Sequence, residues 1–439
     1  MRRLLGGCLA LALGSGIAVL STGTLPAAAT KSKKKTKPTP RVSQAAKSAA
    51  LEKVAGYLEA SSKMGFEQPE AFTPFFQRLA QPQATPIHII HFGDSHTAAD
   101  EWTGALRYFF QQKFGGGGSG YSLAGHPFAG YRRFGTHHGA TPGWTATGLR
   151  TGDGDGYFGL GGVAIETRRA GQSVFIETEC SAAEVYYLQQ PGGGDLELLD
   201  NGQVVKQFST DGEISATFIS VPLAPGDHTL KLVTLNNRPV RLLGWATDRD
   251  SGVTYESLGI NGAEASLIFR WNETMLASYL KQRDPALIVL AYGSNESSDP
   301  RWNDESYQAM FSALLKRLHA AAPSASILVL GPTDRMVRTR RGVVLVEGID
   351  RIITAQRLAC AENGAIYWSA KMRMGGSESI RDWFYAGLGQ PDYVHFTAPG
   401  YDRLGEVLFG DMMRVYDQYL QVHSQLSTQI PNGHPSPSN

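Results

Sequence analysis

Pro86-Ile87-His88-Ile89-Ile90-His91-Phe92-Gly93-Asp94-Ser95-His96 is the stretch on which the fold turns. Residues 86–92 are mostly apolar and read as a buried strand. They run straight into Gly-Asp-Ser, and a helical stripe follows, with Trp102, Leu106, Phe109 and Phe110 on one face. Strand, polar turn and helix make up the unit of an α/β domain, whose ligands gather at the carboxyl ends of the strands. Asp94 or Ser95 can equally be no more than the N-cap of that helix.

Upstream, residues 45–80 have helical periodicity, with Leu51, Val54, Tyr57 and Leu58 recurring on one face. Downstream, the helix ends in Gly115 to Gly118. No Gly-Lys-Ser/Thr follows, so this run is expected to be a flexible loop rather than a phosphate cradle. From 143 to 250 the texture changes. Short β-rich runs at 173–179, 184–188, 195–199, 216–221 and 228–233 are punctuated by Gly, Pro, Asn and Asp, the spacing of a β-sandwich. Apolar runs at 286–291 and 326–330 then read as central parallel strands. An amphipathic helix over 304–321, a second closed by Asn363-Gly364, a strand at 365–368 and a last helix over 399–420 complete the pattern. The expected architecture is an α/β domain formed by 45–142 and 251–425, interrupted by an all-β insertion at 143–250. The polar tail, 426–439, is expected to be disordered.

Composition narrows the function classes. Charged residues at 18% beside 50 glycines exclude a disordered, coiled-coil or histone-like chain. A net charge of +1 provides no global field to recruit nucleic acid. Met1-Arg2-Arg3, the apolar stretch 4–20 and Leu25-Pro26-Ala27-Ala28-Ala29 read as a secretory signal, residues 1–29, cleaved near Ala29. The mature chain is then periplasmic or secreted. Cys8 precedes the apolar stretch, so lipid attachment is discounted. Residues 30–44 form a Lys/Pro-rich tether, with five lysines between 31 and 37. Losing the two arginines of the signal leaves −1, and setting the five lysines aside leaves about −6. No later run reaches membrane length, so no integral span is expected after cleavage. Cys180 and Cys360 read as buried thiols at least as well as a disulfide, and their spacing offers no metal motif.

Ser95 stands where a helix N-terminus offers backbone N–H groups to a developing oxyanion. A serine nucleophile needs a base, and the base an orienting partner. His96 adjoins Ser95 and is poorly placed to face it. His88 and His91 fall in or beside the strand and read as structural, and His137-His138 lack further ligands at metal spacing. His395 differs, because it closes Asp392-Tyr393-Val394-His395 before the last helix, where Asp392 can orient the ring. Two loops suit an oxyanion hole. Gly259-Ile260-Asn261-Gly262 has a glycine N–H able to approach a ligand closely, and Gly293-Ser294-Asn295-Glu296 presents an amide at the end of a strand. Either alone is a common turn.

Taken in order, strand–Gly-Asp-Ser, Gly loop, strand–Gly-x-Asn-Glu and Asp-x-x-His closely resemble the SGNH (GDSL-type) hydrolase family over residues 85–135 and 250–420. The resemblance implies a flavodoxin-like three-layer α/β sandwich with a parallel sheet. It implies a triad of Ser95, His395 and Asp392, and an oxyanion hole from Ser95, Gly262 and Asn295, with Gly259 as the alternative glycine. Gly-Asp-Ser-His in place of Gly-Asp-Ser-Leu, with Gly-Ile-Asn-Gly-Ala and Gly-Ser-Asn-Glu, looks like the peptidoglycan O-acetylesterase branch. That branch carries a jelly-roll module, similar to a carbohydrate-binding module, between its first two blocks. Ser294 departs from the Thr expected there. The implied function is a secreted esterase that removes O-acetyl groups from cell-wall glycan or another small acyl ester. It implies a monomer that needs no metal or organic cofactor and has no nucleic-acid partner. Acetyl transfer on the same site, a broad lipase or esterase, and a non-enzymatic wall-binding protein are the alternative readings. Trp144, Tyr186 and Tyr187 are open to either a sugar platform or a core role.

Overall fold

The computed structural model describes residues 42–82, 84–150 and 152–429. The expected signal, residues 1–29, most of the expected tether and residues 430–439 lie outside the described residues. Five strands form a parallel sheet: β1 (Ile87–Gly93), β2 (Val253–Gly259), β3 (Leu287–Ala291), β4 (Ser326–Gly331) and β5 (Ile366–Ser369). Their spatial order is β2-β1-β3-β4-β5, with every neighbour parallel. β3 and β4 are buried at every position, which is why they read as unbroken apolar runs. Ile89 packs into a core shared with Trp102, Leu106 and Leu404. Its neighbour Ile90 packs into the opposite core, with Leu276, Leu315 and Ile352, as the two-residue period of a strand requires.

The strand order reverses at β1, whose neighbours β2 and β3 lie on opposite sides. In an open α/β sheet this opens a crevice at the carboxyl edge. Gly93 is level with Gly259 in β2 and Ala291 in β3, so the loops after all three strands rise from one edge.

Between β1 and β2 the chain builds an antiparallel sheet of nine strands joined by one hydrogen-bonded path and two side pairings. Two details differ from the sequence expectation. The runs at 173–179 and 184–188 fuse into one strand, Ser173–Gln189, paired with Ser215–Thr234, which likewise joins 216–221 and 228–233. A register shift between Cys180 and Ala182, opposite Pro222 and Gly226, takes up the irregularity, because a bulge lets one strand bend without a turn. The sheet also begins before 143, recruiting Gly118–Ser122 and His137–Ala140.

The glycine run is therefore no free loop. Gly117 donates to Val253 O at 3.0 Å, and a Cβ on it would lie 2.7 Å from the Val253 carbonyl carbon. Helix Gln44–Ala60 buries Ala50, Val54 and Leu58, leaving Leu51 exposed and Tyr57 donating to Asp382 Oδ2 at 2.7 Å. Helix Asp304–Ala321 starts on an Asn303–Ser306 capping box, and Gly348–Asn363 ends on left-handed Gly364. The last helix, Ala398–Gln429, runs past the expected end at 420 and into the expected tail. Cys180 and Cys360 are buried and unpaired. Among the described residues no helix is long and apolar enough to cross a membrane.

Candidate active site

Ser95 opens the helical turn Ser95–Ala98 at the carboxyl end of β1. Asp94 caps this turn by accepting from His96 N at 2.9 Å. The turn lies directly on β2, where a Cβ on Gly259 would meet Ala98 N at 2.3 Å and Asp94 O at 2.7 Å. Gly259 is thus a packing requirement. Burial raises the Asp94 carboxyl to about 6 against the pull of the His96 N–H and nearby His395 and Arg335.

Ser95 Oγ is 2.8 Å from His395 Nε2 across 300 positions of sequence. His395 Nδ1 is 2.7 Å from Asp392 Oδ2. The other carboxylate oxygen, Oδ1, accepts from Val394 N and His395 N, both at 3.0 Å. This tight turn places Tyr393 at φ 59°, an uncommon conformation for an aromatic residue. It is held by Tyr393 N to Gln390 O at 3.1 Å, Gln390 N to His395 O at 2.8 Å and Met336 N to Tyr393 O at 3.0 Å. Burial pushes the Asp392 carboxyl up, but the hydrogen bonds from the His395 ring and the two backbone N–H groups outweigh it and bring it to about 2. An anion there only accepts, so Nδ1 carries a proton and Nε2 faces the serine with its lone pair.

The two expected oxyanion-hole loops meet the same edge. Gly262 is exposed at φ 75°, and nothing lies within 4 Å of where its Cβ would be, so of the two candidate glycines it is the one clear of packing. Asn295 Nδ2 donates to Ala263 O at 2.9 Å and lies 3.4 Å from Asp94 Oδ2. One amide therefore links the loops that follow β1, β2 and β3.

The sequence reading gives no role to two further residues, Glu296 and Arg335. Glu296, in the quoted Gly-Ser-Asn-Glu loop, is fully buried. Its Oε1 accepts from Ala265 N and its Oε2 from Gly293 N, each at 2.9 Å, stapling the loops after β2 and β3. Burial raises its carboxyl to about 8. Glu296→Ala is expected to lower unfolding free energy by about 2–5 kcal/mol, because two buried N–H groups lose their acceptor. With a raised folded-state value, the contribution is full below the ordinary carboxyl range and fades as pH rises through about 8. Denaturant midpoints of parent and variant should therefore converge toward that pH, and a widening gap would contradict the assignment.

His96 turns away from Ser95, as expected. Its Nδ1 is 2.8 Å from Tyr401 Oη, and its ring lies 5.1 Å from the His395 ring. Burial, with the nearby His395 and Arg335 charges, lowers it to about 3, leaving a neutral imidazole against the His395 ring. Arg335 donates to Ser294 O and lies close enough to Asp94 and Asp392 to feel their charges. No local pattern marked it. His91 is buried with Nδ1 3.0 Å from Tyr255 Oη, and His88 Nδ1 is 2.8 Å from Thr254 Oγ1, both in structural roles.

Residues 226–403 match the model of the GDSL-like lipase/acylhydrolase family. The matched span holds Gly262, Asn295, Asp392 and His395, whereas Ser95 lies upstream of it. The chain is accordingly an enzyme of the ester-hydrolase class. A solved peptidoglycan O-acetylesterase is similar to it with a TM-score of 0.68 and 23% identity, over 79% of this chain and 96% of the other. At that identity the likeness establishes the shared fold. A family two carbohydrate esterase from Cellvibrio japonicus overlaps 64% of this chain and 98% of its own, at 11% identity and a TM-score of 0.28. No curated protein sequence matches the chain.

Proposed function

We propose that the chain is a secreted serine esterase that removes O-acetyl groups from cell-wall glycan. The observation that carries this reading is the continuous hydrogen-bonded series Ser95–His395–Asp392 at the carboxyl edge of the sheet. His395 Nε2 takes the hydroxyl proton as Ser95 Oγ attacks the acetyl carbonyl, and Asp392 steadies the imidazolium that forms. The oxyanion is held by the backbone N–H groups of Ser95 and Gly262 and by the Asn295 amide. The Asn295 N–H directed at Asp94 across 3.4 Å makes the longer of its two bonds, and it is the one an oxyanion draws away. When the tetrahedral intermediate collapses, the sugar oxygen leaves with the proton from His395. Water, deprotonated by the same nitrogen, then attacks the acetyl-enzyme and releases acetate.

The glycan class rests on the motif variants around Ser95, Gly262 and Asn295 and on the fold shared with a peptidoglycan O-acetylesterase. In the same reading the nine-stranded sheet is the jelly-roll module, and the mature chain acts as a periplasmic or secreted monomer without metal or organic cofactor. Tyr186 and Tyr187 are buried, so of the three aromatics only Trp144 is left to meet a sugar.

The test is incubation with O-acetylated peptidoglycan, measuring free acetate and the loss of acetyl groups from muropeptides by mass. Acetylation of an added glycan acceptor in place of acetate release would make the enzyme a transferase. Faster turnover of long-chain than of acetyl p-nitrophenyl esters would make it a lipase. Asn295→Ala is expected to lower kcat on p-nitrophenyl acetate by about 10²–10³-fold with little change in KM. A change confined to KM would remove Asn295 from the oxyanion hole.

A further inference from the structure

Beside the site the chain concentrates positive charge that ester hydrolysis does not use. Arg335, Arg338, Arg340 and Arg341 fall within seven positions, at the entry and turn of a hairpin made by Met336–Thr339 and Gly342–Leu345. The hairpin stands apart from both large sheets. Most arginines elsewhere among the described residues are matched by carboxylates, as Arg241 is by Asp155 and Glu166, Arg283 by Asp248 and Glu256, and Arg301 by Glu264 and Asp299. Those that are not, such as Arg317, are spread along the chain rather than gathered four to a hairpin. Among the described residues none of the four hairpin arginines forms an ion pair. Outside the signal and the Lys-rich segment the chain is net acidic, so the cluster is a local departure from its surroundings.

The hairpin is also fastened to the site. Arg335 donates to Ser294 O, the carbonyl before Asn295. Met336 N donates to Tyr393 O at 3.0 Å, between Asp392 and His395. Arg338 Nη2 donates to Pro391 O at 3.2 Å, and its guanidinium lies 5.4 Å over the Tyr393 ring. Arg340 and Arg341 at the turn are exposed, within about 20 Å of Arg335 at the rise of an extended strand. Val337, Val344 and Leu345 are exposed on the same hairpin, so apolar surface lies beside the charge.

We infer that this hairpin is the docking rim for a carboxylate-bearing glycan–peptide polymer, which it holds across Ser95. The inference rests on the esterase reading and adds the charge class of the substrate. Guanidinium groups without carboxylate partners, above all those of Arg340 and Arg341 at the exposed turn, suit carboxylates, which they meet with two parallel hydrogen bonds. Such attraction at an exposed rim is screened by salt and acts mainly on capture of the polymer.

The experiment measures binding in the Ser95→Ala protein, by cosedimentation with O-acetylated peptidoglycan and with the same polymer after its carboxyl groups are amidated. Adding R340Q and R341Q should weaken binding to the native polymer by about tenfold at low salt. The difference should disappear on the amidated polymer, and R340K with R341K should restore most of the binding. The inference is overturned if the Gln pair binds native polymer as its parent does, if the loss is equal on both polymers, or if the Lys pair rescues nothing. Unchanged thermal midpoints verify folding. Binding without turnover keeps the result separate from the esterase assay, which can fail or succeed on its own.

Discussion

Replacing Ser95 by alanine is expected to lower kcat on p-nitrophenyl acetate by at least about 10⁴-fold, with the thermal midpoint within a few degrees of the parent. The size follows from the geometry. Ser95 Oγ is the group hydrogen-bonded to His395 Nε2, and without it the imidazole can at most activate water. The serine is only half-buried, so removing one oxygen leaves no cavity of consequence and strands no buried donor. The oxyanion donors and the bound geometry stay in place, so a residual rate above that in water is expected. A variant retaining a tenth of parental turnover would take Ser95 out of the nucleophile's role.

Asp392→Asn is expected to cost about 10³–10⁴-fold in kcat while leaving KM nearly unchanged. Asp392 holds the ring through one oxygen and its own turn through the other. An asparagine whose oxygen keeps accepting the backbone N–H groups turns its NH₂ toward Nδ1. That reverses the tautomer and leaves Nε2 protonated toward the serine. Since the folded-state carboxyl titrates at about 2, Asp392 is ionised throughout the assay range, and a large loss should persist at every pH from 5 to 9. A loss that vanishes at high pH would point instead to an altered base.

How much of this was legible depends on how far apart the partners stand in the chain. β1, the Asp304–Ala321 helix and the Gly364 cap follow from local pattern, because apolar periodicity and caps are short-range signals. The Asp392–His395 contact spans three residues and could be read as a turn. Continuity of the long strands was hidden, since the bulge at Cys180–Ala182 and the Pro222–Gly226 segment look like turns until the partner strand is in place. The Gly115–Gly118 run reads as a loop for a similar reason, because its packing against Val253 is a contact across more than a hundred residues.

The order of four short motifs was enough, on the sequence alone, to determine the class of chemistry and to nominate Ser95, Asp392 and His395. These are residue types that a serine hydrolase requires, at positions that local turn geometry makes plausible. The tertiary structure decided which groups meet. It brought Ser95 within 2.8 Å of His395, packed Gly259 against the Ser95 turn while leaving Gly262 clear, and buried Glu296 between two loops. It also set four arginines at the rim. Each of these depends on strands pairing in the order β2-β1-β3, and a strand's apolar run shows that it will be buried without showing which neighbour will cover it.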